Sequence, residues 1–138
     1  MDLIIRKATK LPRLDGFFSP RWSPDGRFIA AIPLDSLKLT LYEIATQKWT
    51  ELPEIFVAYP TWSRDGRYVY FNEAVDNQEG YYRVQVSDNK LEQLFSMKGF
   101  QAARGAFGNW TGLGPDETPL LVRDASMQEI YVLDWETP

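Results

Sequence analysis

Two stretches of the chain are apolar at every position, Phe28-Ile29-Ala30-Ala31-Ile32 and Tyr68-Val69-Tyr70-Phe71. A short continuous apolar run bounded by turn residues reads as a strand covered on both faces, so other sheets must lie against either side of each. Leu37-Lys38-Leu39-Thr40-Leu41-Tyr42 alternates instead, which predicts a strand nearer a rim with one face partly wet. Asp25-Gly26 and Asp65-Gly66 stand just before the two continuous runs, and Asp-Gly between apolar segments supplies the positive dihedrals of a tight hairpin turn. The pattern predicts strands near residues 17–22, 27–32, 37–44 and 48–52, and again near 57–62, 67–71, 80–86 and 90–95.

These two sets of strands are copies of one unit. Pro20-Arg21-Trp22-Ser23-Pro24-Asp25-Gly26-Arg27-Phe28-Ile29 and Pro60-Thr61-Trp62-Ser63-Arg64-Asp65-Gly66-Arg67-Tyr68-Val69 share six identities at an offset of 40. A degenerate third copy, Gly114-Pro115-Asp116-Glu117-Thr118-Pro119-Leu120-Leu121-Val122, keeps the Pro-Asp turn but has Leu113 in the tryptophan position, at a spacing of 51. A second shared element follows each turn: Leu41-Tyr42-Glu43-Ile44, Tyr82-Arg83-Val84-Gln85-Val86 and Ile130-Tyr131-Val132-Leu133-Asp134, with tyrosines 40 and 49 apart. Meanders of about 40 residues, each sandwiched between neighbours, describe β-propeller blades.

At these motifs the chain resembles the WD40-like repeats of the TolB type. The likeness is close in the first two units and loose in the third; the Gly-His mark of true WD40 repeats is absent, since there is no histidine. Prolyl oligopeptidase-like enzymes carry similar blades, but their hydrolase half with its Gly-x-Ser-x-Gly nucleophile turn is missing here. The ending Gln128-Glu129-Ile130-Tyr131-Val132-Leu133-Asp134-Trp135-Glu136 resembles the tail of bacterial regulators that join a winged-helix domain to a TolB-like propeller.

The expected fold is all-β, a single domain over residues 1–138 built from propeller blades of four antiparallel strands, three blades per chain. Residues 16–55 and 56–98 form two blades, 99–138 an incomplete one, and 1–15 contribute one or two strands that complete a blade. Propellers close with about four to eight blades, so three do not make a ring. The chain is then either the end of a longer propeller or half of a six-bladed ring formed by two copies. An end blade exposes an apolar sheet face that monomers rarely leave uncovered, which favours a homodimer with an isologous interface.

Composition narrows the chemistry. The 138 residues suit one packed core, and nine glycines and nine prolines among 14% aromatic residues agree with short strands and tight turns. With no histidine and no cysteine, Ser-His-Asp and Cys-His sites, zinc fingers, thiolate metal sites and disulfides are all excluded. No metal or other cofactor is expected. A formal charge of -4 gives no global basic field for nucleic acid. Neither a secretory signal nor an apolar segment long enough to span a bilayer stands in the chain, and cysteine usage leaves the compartment open.

Asp25, Asp65 and Asp116 recur at matching positions and read as carboxylates capping their own turns, rather than as a metal or acid-base cluster. Trp22 and Trp62 read as wedges between blades, with Gly26 and Gly66 as the turn glycines. Arg27 and Arg67 either pair with an adjacent blade or sit solvated. The segment from Met97 to Gly112 breaks the period and offers Arg104, Asn109 and Trp110 as a cation, an amide and a π-face; it is either a binding loop or an irregular innermost strand. Gly105 and Gly108 lack the Lys-Ser/Thr of a phosphate loop. Tyr59, Phe17 and Phe18 start innermost strands near the channel mouth, with Tyr59 the fourth candidate ligand-binding residue. Asp76-Asn77-Gln78-Glu79-Gly80 reads as a solvated hairpin loop without calcium-loop spacing.

The functional expectation is a non-enzymatic module that binds or scaffolds a protein or peptide through the channel face. The alternatives are the sensory end of a winged-helix transcription regulator and a carboxylate-based hydrolase such as a glycosidase.

Overall fold

The computed structural model describes Leu11 and residues 15–73, 80–105 and 108–127, and among these every regular element is a β-strand. The first unit consists of β1 (Phe17–Trp22), β2 (Phe28–Pro33), β3 (Lys38–Glu43) and the leading half of β4 (Lys48–Trp62). The trailing half of β4 opens the second unit, which continues through β5 (Tyr68–Glu73), β6 (Gly80–Gln85) and β7 (Leu91–Ser96). Each strand pairs antiparallel with the next, and the series stays open, with β1 and β7 at its edges.

Strands expected at 48–52 and 57–62 run together as β4. The link keeps bonding to the first unit: Lys38 faces Phe56 after a register shift between Lys38 and Thr40, and the Val57 amide donates to the Leu37 carbonyl at 3.0 Å. One segment thus closes one meander and starts the next.

The Asp-Gly turns take the expected positive dihedral at one residue of each pair. The Gly26 amide donates to the Ser23 carbonyl at 2.9 Å and the Ser23 amide to the Phe28 carbonyl at 2.8 Å; the second turn repeats both bonds at 3.1 and 2.9 Å. Only the glycines enter the left-handed region, at φ 74° for Gly26 and 71° for Gly66. These are wider turns ended by a left-handed glycine, and the aspartates keep ordinary dihedrals. In the third turn Glu117 takes the glycine's place at φ 64°.

Two further expectations need correction. All four central residues of β3 are buried, because Tyr42 packs on Trp49 at 4.8 Å and Trp49 stacks on Phe17 at 4.4 Å, covering the face expected to be wet. The tyrosines 40 residues apart are also not equivalent in the ladder. Ile29 faces Tyr42 but Val69 faces Val84, and Tyr82 stands opposite Phe71. The connection from β5 to β6 is two residues longer than its counterpart, which shifts the matching position by one same-face step.

The core lies between the sheets. Ala30, Ile32, Leu39 and Leu41 of the first unit pack against residues of the second that include Val57, Trp62, Val69 and Phe71. Tyr70 and Tyr81 face the other way, clustering with Met97 and the third unit's Leu113 and Leu121. Alternate residues of β5 therefore enter different interfaces, which is why its sequence is apolar throughout. The third unit holds two small antiparallel ladders, β8 (Arg104–Gly105) with β9 (Gly108–Asn109), and β10 (Thr111–Leu113) with β11 (Pro119–Leu121). The strand expected at 130–134, most of the N-terminal stretch and the loop residues Asp76–Glu79 lie outside the described residues.

Candidate functional site

The recurrent aspartates stand in their own turns. Asp25 Oδ1 accepts from the Arg27 amide at 3.0 Å and from Ser23 Oγ at 2.6 Å, while Ser23 Oγ accepts from the Phe28 amide at 2.9 Å. Asp65 repeats this with the Arg67 amide at 3.0 Å and Ser63 Oγ at 2.8 Å, and adds Arg67 Nε on Oδ2. These donors favour the charged form: the Arg67 amide, the Ser63 hydroxyl and the Arg67 side chain bring the Asp65 carboxyl down to about 2. Asp25 is lowered chiefly by the Ser23 hydroxyl. Asp116, where Gly114 replaces the serine, is lowered by Thr118 through its hydroxyl at 2.8 Å and its amide at 3.2 Å. Arg27 lies 4.0 Å from Glu43 of its own sheet, and Arg67 clasps Asp65 of its own turn.

The inner strands share a second repeated feature. The β1–β2 ladder shifts register between Phe18 and Arg21, and the β4–β5 ladder between Ala58 and Thr61. The bulged residues Ser19 and Tyr59 are held in the left-handed region at φ 52° and 50°. Non-glycine residues there cost about 1 kcal/mol or more. Ser19, Tyr59 and Trp110 each stand three residues before Trp22, Trp62 and Leu113, so they occupy one position of the repeat.

Arg104, Asn109 and Trp110 stand on one segment, and Tyr59 of β4 packs against the last of them. Tyr59 and Trp110 stack with centroids 5.2 Å apart, an arrangement with attraction beyond area burial. Arg104 pairs with Asn109 in the short β8–β9 ladder, and the Trp110 amide donates to the Ala103 carbonyl at 3.0 Å. Gly105 lies beneath the rings: a Cβ there would come within 2.5 Å of the Tyr59 hydroxyl and 2.7 Å of Trp110 Nε1. Trp110 nonetheless remains 52% exposed. The described part of the segment pairs with itself in the β8–β9 ladder and carries an exposed aromatic ring. Phe17 and Phe18 are packing residues, on Trp49 and on the inter-sheet core respectively.

Neighbouring units are tied by polar contacts. Trp62 Nε1 donates to the Arg21 carbonyl at 2.9 Å. Glu117 reaches back from the third turn, accepting from the Arg64 amide at 2.8 Å and the Tyr70 hydroxyl at 3.4 Å. Trp22, expected to wedge as Trp62 does, is 59% exposed because no described sheet precedes it. Ser19, Arg21 and Glu117 were not singled out by sequence. For Ser19 the available signal was its fixed spacing from the repeat tryptophan.

The arrangement offers stacking, hydrogen bonding and one-sided charge. Among the described residues there is no group of three metal-ligating side chains and no helix long and apolar enough to cross a membrane. No protein-family profile and no curated protein matches the chain. Among solved structures, TolB from Acinetobacter baumannii is similar with a TM-score of 0.50 and 17% sequence identity, over 81% of this chain. The fold is TolB-like and of propeller type. This chain spans 39% of that TolB chain, and the likeness is one of fold.

Proposed function

We propose that the protein is a non-enzymatic binding module whose TolB-like blades present the Tyr59–Trp110 shelf to a protein or peptide, and that two copies pair to complete a ring. The observation carrying the binding reading is the shelf itself. Two rings at one repeat position are stacked on a backbone that only glycine fits, and one of them stays half exposed. Rigid amphipathic aromatics with little conformational freedom to lose are what recognition surfaces favour. Arg104 and Asn109 stand beside them to orient a polar backbone. A chain without histidine or cysteine supports a role outside catalysis.

The pairing rests on the outer face of the first unit, where Trp22 stays exposed. A groove of about 460 Å³ runs along Phe17, Pro20, Trp22, Ile29 and Ala31. A covering sheet would shield Trp22, as the first unit does for Trp62. The 39% span of the TolB chain favours a second reading, in which earlier blades of a longer protein, such as a winged-helix regulator, cover the same face.

Both parts are testable on the 138-residue chain. Light scattering giving a mass near twice 16.0 kDa supports pairing; a monodisperse monomer at micromolar concentration leaves the face to a longer chain. Screening a peptide array, with Trp110→Ala as the control, tests binding. Retention of every hit by the variant would remove the shelf from the mechanism.

A further inference from the structure

A cavity of about 330 Å³ lies between the inner strands of the first two units, lined by Phe18, Ser19, Arg21, Ile32, Ala58 and Tyr59. Its wall is almost wholly apolar, with Ile32 and Ala58 buried, and Arg21 is the one charged residue that lines it. We propose that this cavity binds an apolar monocarboxylate, its carboxylate on Arg21 and its hydrocarbon body against Phe18, Ile32 and Ala58. This subsite shares Tyr59 with the aromatic shelf, but its ligand contact is Arg21, which the shelf does not use.

The cation is the first argument. The Arg21 guanidinium donates to the carbonyl of its own neighbour Pro20 at 3.1 Å and, like Arg64 and Arg123, enters no ion pair among the described residues; of these three, Arg21 lines the cavity. Its backbone is held on both sides: Arg21 pairs with Ala30 in the ladder, and its carbonyl accepts the Trp62 indole. A planar fork of donors on a fixed backbone is suited to bidentate carboxylate recognition.

The second argument is shape. The residues flanking the slot, Ser19 and Tyr59, are the two strained bulge positions, so the cavity is formed by the departure of both inner strands from regular pairing. Strain of this kind persists only where the surroundings hold it, and here the inter-sheet core holds both strands. Its volume lies at the lower end for ligand sites, which suits one side chain with its carboxylate. One arginine at the edge of an apolar cavity matches a monoanion and leaves a phosphate dianion short of donors. Two sources share this chemistry: the C-terminal residue of a peptide and a free organic acid.

Amide NMR spectra of the intact chain, titrated with N-acetyl-phenylalanine, test the assignment. Saturable shifts at Ser19, Ala58 and Tyr59 are expected, with N-acetyl-phenylalaninamide producing none. Arg21→Gln should weaken binding about tenfold or more and Arg21→Lys by less. The Trp62–Arg21 bond uses a backbone carbonyl, so unchanged Trp62 side-chain signals in both Arg21 variants confirm an intact fold. Tighter binding of a tetrapeptide ending in phenylalanine than of octanoate identifies a peptide terminus, and the reverse a free acid. Equal shifts from acid and amide, or none from any of these carboxylates at about 10 mM, would overturn the proposal.

Discussion

The indole nitrogen of Trp62 donates to the backbone carbonyl of Arg21, 2.9 Å away and 41 residues earlier in the chain. The same side chain stacks on Phe28 at 6.4 Å and is 9% exposed, so one residue joins two sheets by a directional bond and by packing. Trp62→Phe keeps an aromatic ring but removes the donor and part of the volume, and should cost about 2 kcal/mol in urea unfolding. Trp22→Phe, at the same repeat position without a neighbour, should cost under about 0.5 kcal/mol in the dissociated chain. Equal costs would mean that the two tryptophans are not distinguished by the presence of a preceding sheet.

The turn carboxylates link stability to acidity. Asp65 has its carboxyl lowered from 3.8 to about 2 by the Arg67 amide, the Ser63 hydroxyl and the Arg67 side chain. A carboxyl lowered by folding contributes stability that is complete above its unfolded value and is lost as pH falls through the folded one. The window is therefore from about 4 down to about 2. Carbon-detected titration should place the Asp65 midpoint near the lower limit, and Ser63→Ala should raise it. A midpoint at the ordinary value in the folded protein would show that these bonds do not persist in solution.

Gly105 tests the shelf without touching either ring. A Cβ at this residue would overlap the Tyr59 hydroxyl and Trp110 Nε1, so Gly105→Ala must push the rings off their backbone support. The expected result is loss of near-ultraviolet aromatic signal with a destabilisation of about 1–3 kcal/mol. An unchanged aromatic spectrum would show that the rings do not rest against Gly105.

Much of this fold was legible because the repeat is written in backbone chemistry. Asp25-Gly26 and Asp65-Gly66 mark their turns through a capping side chain and a residue free to adopt positive φ, and Val69-Tyr70-Phe71 marks two interfaces by having no polar position. What escaped was relational. The difference between Trp22 and Trp62 depends on whether a sheet lies in front, and a local motif does not encode its neighbour. The register of Tyr42 against Val84 was hidden by two extra loop residues, which leave sequence spacing intact while shifting the ladder. The candidate site was half visible: Arg104, Asn109 and Trp110 stood out by breaking the period, but the bulges at Ser19 and Tyr59 have no residue signature, since neither serine nor tyrosine favours left-handed backbone.

Glu117 separates strain from contact. It occupies the turn position where Gly26 and Gly66 stand in the other units, at φ 64°, and its carboxylate accepts from the Arg64 amide and the Tyr70 hydroxyl of the second unit. Glycine at this position would remove a backbone penalty of about 1 kcal/mol and the inter-unit bonds together, whereas alanine would keep the penalty and lose the bonds. Glu117→Ala should therefore be less stable than Glu117→Gly by about 1 kcal/mol, and both variants should expose the Arg64 amide to faster hydrogen exchange. If the two variants unfold alike, the turn carries no strain. If Arg64 exchange is unaffected, the third unit is not fastened to the second by this carboxylate, and its docking rests on the apolar cluster of Tyr70, Tyr81, Met97 and Leu113 alone.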